Sequence, residues 1–270
     1  QGLITAQGGA WDILARRVAG LPDYARRFQS VYDHITTPDD IGFTDISNAI
    51  AVFVAYEWRS DSSAFDAYLR DPSAPLDADA QKGMALFYGA AGCSTCHAGA
   101  FQTDHGFHAM GAPQLGPGKA AVFETHTRDT GRMGVTGNGA DAYAFRTPSL
   151  RNVMQTGPWG HAGGHSQIEK FLRDHMDPAR AAKRFAPGAA DRNGVRLPPL
   201  DGDDWREMDD PAARDAITQA AMIRAPKGLN PGDIAALVSF LRSLDDPQAL
   251  SGRLGIPDTV PSGLAVGGAP

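Results

Sequence analysis

Cys93, Cys96 and His97 stand together in the stretch GCSTCHAG, residues 92–99, and the chain of 270 residues has no other cysteine. Four chemistries use such a pair. A disulfide framework for a chain this long needs many more cysteines. A zinc site wants two further cysteines or well-spaced histidine partners. A redox dithiol belongs in a βαβ frame, and the sequence offers none. Cys-x-x-Cys-His is also the attachment signature of c-type haem, in which two thiols add to the vinyl groups and the adjacent imidazole ligates iron. The spacing suits that task, because the two thiols and the imidazole must reach two edges and one face of a single macrocycle. The reading is covalent haem c on Cys93 and Cys96, with His97 as proximal iron ligand.

A second axial ligand is then needed. The candidates are His34, His105, His108, His126, His161, His165 and His175, together with Met110, Met133, Met154 and Met176. An isolated His is more often a surface or satisfied core residue, and Met is more often core filler. Residue type alone does not choose among them.

The elements that must hold these residues are helical. WDILARRVAGL (11–21), YARRFQSVYDHI (24–35), FTDISNAIAVFVAYEWRS (43–60) and SAFDAYLR (63–70) read as helices from their apolar spacing. In the third, Thr44 or Asp45 is a plausible cap, and Ile46, Ile50, Phe53 and Val54 form an apolar face. LDADAQKGMALFYGAAG (76–92) starts at Asp77 and runs into the cysteines. SQIEKFLRDHM (166–176) and DPAARDAITQAAMIRA (210–225) are helical. NPGDIAALVSFLRSL (230–244) has Asn230 as cap, Pro231 at its first position and a stripe of Ile234, Leu237, Val238 and Leu241. Between 98 and 166 periodicity fades into Gly, Pro, Asn and Thr. So long an irregular stretch needs another source of core, which a porphyrin would supply. The expected class is all-α, with long loops around a covalent haem held between the helix before Cys93 and the helix 230–244.

Composition narrows the function. A hydrophobic share of 42% and a charged share of 21% are those of a globular chain. A net charge of −6 without a basic run gives no nucleic-acid footprint. No stretch of about 18 apolar residues suggests a membrane span. The opening QGLITAQGGAWD lacks a basic segment followed by an apolar one, so no signal peptide is expected in this chain.

FRTPSLRNVMQTGPWGHAGGHSQIEKFLRDHMDP (145–178) resembles a block of the bacterial diheme cytochrome c peroxidases and MauG-type proteins. DTGRMGVT (129–136), IPDTVPSGL (256–264), ISNAIAVFVAYEWRSDSSAFDAYL and GMALFYGAAGCSTCH resemble the same family. The resemblance implies that the distal ligand comes from the end of the helix after the Gly-His element. An ungapped count from His161 lands on His175, with Met176 as the alternative one residue later. It also implies a calcium ion held partly by backbone carbonyls of Thr156 and Pro158, where the plain alternative is a turn. A periplasmic location follows from the family.

The family carries two c-type haems, and this chain has one Cys-x-x-Cys-His, matching the C-terminal, electron-transferring haem. Residues 1–72 then correspond to the helical remainder of a first haem domain, and 73–270 to the C-terminal cytochrome c domain. The implied function is the electron-transfer part of a peroxide-reducing oxidoreductase. Its implied partners are an N-terminal haem domain or chain and a small redox donor, a cytochrome c or a cupredoxin. The alternatives are a monohaem electron shuttle without catalysis and a MauG-type oxidase of protein residues.

Overall fold

The computed structural model describes residues 2–114, 128–184, 206–222 and 228–266. Among them the regular structure is helical, apart from one two-stranded pairing of Phe107–His108 with Phe145–Arg146. The all-α expectation therefore holds, and no described helix is long and apolar enough to cross a membrane.

The chain forms two compact units, residues 1–60 with 247–270 and residues 61–246. This division differs from the sequence boundary at 72. The segment 61–72 belongs to the larger unit because Asp246, fully buried, accepts hydrogen bonds from the Asp61 N–H at 2.8 Å and the Ser62 N–H at 2.7 Å. Residues 247–270 belong to the smaller one, where the buried Glu57 carboxylate accepts from the Leu254 N–H at 2.6 Å.

In the smaller unit, helices Ala10–Ala19, Pro22–Val31 and Phe43–Glu57 surround a small core of Ala25, Ile35 and Ile41. The cap of the third is Gly42 rather than Thr44 or Asp45. Asp45 sits at the third helical position and accepts from the Gly42 N–H at 2.9 Å. Of the expected apolar face, Ile46 packs against this core and the rest does not. Ile50, Phe53 and Val54 are 56%, 42% and 42% exposed.

The larger unit is built on two helices, Ala78–Tyr88 and Pro231–Arg242. Asp77 caps the first by accepting from the Asp79 N–H, and Asn230 caps the second with Asp233 answering in a capping box. They cross at Gly83, where a Cβ would come 1.9 Å from the Ala236 carbonyl oxygen. Around the crossing Phe65, Phe87, Ile234, Leu237, Phe240, Leu241 and Leu244 form the main core. Arg151 ties the irregular stretch to this frame. Its guanidinium grips Asp66 with two bonds of 2.7 and 2.8 Å, and both side chains are nearly buried.

Candidate haem centre

The Ala78–Tyr88 helix stops at Gly89, and the chain turns through Gly92, which adopts a left-handed φ of +65°. A short helical turn, Cys93–Thr95, follows. The His97 N–H donates to the Cys93 carbonyl at 2.9 Å, so Cys93 and His97 project from one side of the same turn. Neither cysteine is in a disulfide and both are partly exposed, whereas His97 is buried.

His97 Nδ1 lies 3.0 Å from the Gln102 carbonyl oxygen. A carbonyl can only accept, so Nδ1 carries the proton and Nε2 keeps its lone pair. Metal-binding imidazoles are oriented by this kind of outer contact. Gln102 directs its backbone from a left-handed conformation, φ +48°, that non-glycine residues seldom adopt.

Cys93, Cys96 and His97 line a cavity of about 450 Å³. Its walls include Phe87 from the end of the first helix and Ala91 from the turn after it, Leu237 and Leu241 from the second, and Leu150 and Val153 from the irregular stretch. Helix Ile168–His175 forms the opposite wall. There His175 faces His97, with ring centroids 6.2 Å apart. A metal ion between two imidazoles holds their centroids about 6 Å apart, given metal–nitrogen bonds of about 2.0–2.1 Å and a ring radius of roughly 1 Å. The cavity and the donor set therefore fit a metal-centred macrocycle lying between the two histidines. Phe171 packs on His175 at 5.0 Å, one turn earlier on the helix. Met176 also lines the cavity, but it packs against the core around Leu237 and Phe240.

The other candidates fall elsewhere or have other partners. His34 pairs with Asp45 in the smaller unit. His105 meets the Arg146 guanidinium. Met154 packs in the main core, Met133 opens a short turn, and His126 lies outside the described residues. Met110, His108, His161 and His165 reach the cavity wall. His161 stacks on Phe145 and pairs with Asp129 at 2.9 Å. Thr156 and Pro158 lie exposed at the cavity's edge, and the Thr156 hydroxyl donates to the Val153 carbonyl.

Two groupings carried no sequence signal. Asp104 and His108 pair at 2.9 Å, and their ligating atoms lie with the Cys96 sulfur inside a 4.8 Å span. Burial pushes the Asp104 carboxyl up, but hydrogen bonds from His108 and the Gly106 N–H outweigh it and bring it down to about 2. Three ligands are one short of a structural zinc site. The second grouping pairs the buried His165, through Nε2, with the half-buried Asp174 at 3.0 Å.

A family model for di-haem cytochrome c peroxidase matches residues 5–74. Over 161 residues, 60% of this chain, the sequence is 33% identical to a cytochrome c551 peroxidase of Nitrosomonas europaea, covering 44% of that protein. Over 167 residues, 61% of this chain, it is 34% identical to the methylamine utilization protein MauG of Methylorubrum extorquens, covering 42%. The chain thus spans less than half the length of these two relatives. Its fold is that of a MauG-like protein associated with microbial copper homeostasis, with a TM-score of 0.61 at 23% identity, covering 92% of this chain and 64% of that one. With the haem-attachment sequence opening onto a cavity of this shape, the chain is similar to the di-haem cytochrome c peroxidases and MauG, a family that implies a c-type haem.

Proposed function

We propose that this chain is the electron-transfer haem part of a periplasmic, diheme peroxidase-like oxidoreductase. The observation that carries the reading is the pair His97 and His175, 6.2 Å apart across a cavity that Cys93 and Cys96 also line. Cys93 and Cys96 hold haem c by thioether bonds, His97 is its proximal ligand and His175 its distal ligand. When bound, the haem supplies one-electron redox chemistry, which in the family serves a peroxidatic haem on a first domain.

The chain's own residues then have defined tasks. The Gln102 carbonyl fixes the His97 tautomer and aims Nε2 into the cavity. Phe171 braces His175 from behind. Leu150, Val153, Leu237 and Leu241 exclude water from the site, which favours a stable low-spin centre over exchange with solvent ligands. Thr156 and Pro158 offer carbonyl oxygens to calcium, which takes six to eight oxygen ligands, so further oxygens must come from water or from a partner domain. The partners in this reading are a haem-bearing first domain or chain and a small redox donor, a cytochrome c or a cupredoxin.

The test is spectroscopic. A pyridine haemochrome assay should give a c-type band. The spectrum should be low-spin in both oxidation states and lack the near-infrared sulfur-to-iron band. His175→Gly should produce a high-spin signal, and Met176→Leu should leave the spectrum alone. The reverse response would make Met176 the ligand and raise the potential.

A further inference from the structure

His165 is 3% exposed and lines the same cavity as His97 and His175. Its backbone is fixed by a bridge to Trp159, with hydrogen bonds of 2.8 and 3.1 Å. Its ring stands edge-on to Phe171, centroids 5.5 Å apart, and its Nε2 lies 3.0 Å from Asp174 Oδ2. Among the described residues its Nδ1 is buried without a hydrogen-bond partner. Gly160, also at the cavity wall, leaves that atom room, since even a Cβ there would stay 3.6 Å away.

A buried polar atom left unpaired costs about 1–3 kcal/mol. A water could relieve it only with two to four polar partners of its own. The polar side chains that line the cavity beside it have other contacts: Trp159 with the Val153 carbonyl, His161 with Asp129, and Asp174 with Nε2 of His165 itself. The group that fills the cavity is the remaining source. The periphery of a haem carries hydrogen-bonding groups of one kind, its two propionate carboxylates.

Resting on the haem reading above, we propose that His165 is a positioning residue for the haem: its Nδ1–H donates to a propionate, and Asp174 holds its Nε2–H. Both acceptors are carboxylates and can only accept when ionised. With both carboxylates ionised, this pairing places two protons on the ring, as an imidazolium between two anions. A buried charge is tolerated under that pairing. Phe171 lies between this contact and His175, so His165 acts on haem placement and charge rather than on ligation.

The test uses the haem-loaded protein in its reduced, diamagnetic state, with ¹⁵N-labelled histidine and resonance Raman spectra of the propionate bending modes. The expected result is a His165 signal with two protonated ring nitrogens, identified by its loss in His165→Gln. A propionate band should shift in D₂O. His165→Leu should move that band and lower the midpoint potential, because a cation beside the haem favours the reduced form. His165→Gln keeps an N–H but no charge, so it should hold the band near its original frequency while the potential still falls. One bare nitrogen on His165 in the unaltered protein, or an unmoved band in His165→Leu, overturns the proposal. If His165→Leu fails to retain haem, the nitrogen and D₂O measurements on the unaltered protein decide alone. Absence of covalent haem from the unaltered protein overturns the function reading itself, and this inference falls with it.

Discussion

Two helices of this chain look alike in sequence and fare differently in the fold. Pro231–Arg242 buries Ile234, Leu237, Phe240 and Leu241 to 4% exposure or less. Phe43–Glu57 is just as rich in large apolar side chains, yet Val52 is 67% exposed and Ile50 56%. The first helix has a partner in its own unit, the helix Ala78–Tyr88. The only residues that the second buries are Asp45, which binds the Gly42 N–H, and Glu57, which anchors the tail. An apolar stripe states that a helix wants cover. It does not state whether the cover lies in the same chain. Substitutions in the two helices should therefore differ sharply in cost.

The largest effect should come at Gly83. A Cβ there meets the Ala236 carbonyl oxygen at 1.9 Å, its carbon at 2.5 Å and the Phe240 Cβ at 2.8 Å. Two of these are backbone atoms and cannot swing aside. Gly83→Ala should therefore cost more than the roughly 1–3 kcal/mol of ordinary overpacking. Denaturant unfolding should show a much lower midpoint. A wild-type midpoint would mean that the two helices do not cross as closely as described.

Arg151 comes next. Burial raises the Asp66 carboxyl, but the Arg151 guanidinium and the Ser63 contacts prevail and hold it below its usual value. Arg151→Met leaves Asp66 charged and unpaired in a site only 8% exposed, and breaking such pairs costs about 3–5 kcal/mol. The sign with pH follows from the lowered carboxyl. The pair's stabilisation is fully present above the ordinary carboxylate value of about 3.9 and is lost as pH falls below it toward the folded value. Unfolding curves between about pH 6 and pH 3 should converge for the two proteins as the pH drops. Parallel curves would show that the pair contributes nothing.

Leu237 tests the same core without charge. It is 1% exposed and lines the haem cavity as well. Leu237→Ala should cost about 2–5 kcal/mol, as buried leucines do. Haem loading should change the value, because the haem and Leu237 share a wall. Equal costs with and without haem would separate the core from the site.

How much of this was legible beforehand depends on whether a signal is local. Asp77 and Asn230 read as caps because capping groups lie within three residues of the backbone they serve. Cys93, Cys96 and His97 read as a haem anchor because the chemistry is contiguous. Helical periodicity permitted both His175 and Met176, and the count from His161 favoured His175, whose ring lies 6.2 Å from that of His97. The Gln102 carbonyl on His97 leaves no trace in sequence, since any residue has a carbonyl. His165 and Asp174 meet across a loop and a helix turn, nine positions apart, where no rule pairs them. The need for glycine at 83 is set wholly by a helix some 150 positions later. The division of the chain at residue 60 is equally non-local, since Asp246 reaches back to Asp61 and Ser62.

The smallest effect closes the comparison from the other side. Val52 lies two-thirds exposed in the middle of Phe43–Glu57, with no capping role. Valine and serine differ little in helix propensity, so Val52→Ser should change stability by no more than about 0.5 kcal/mol. The same substitution at an equally apolar helix position in the larger unit would leave a hydroxyl buried, at a cost several times greater. A loss of more than about 2 kcal/mol for Val52→Ser, measured in dilute protein by denaturant unfolding, would mean that the helix is covered after all. A loss that appears only as protein concentration rises would instead point to a second copy of the chain as its cover, because association stabilises by mass action and substitution at the contact removes that gain.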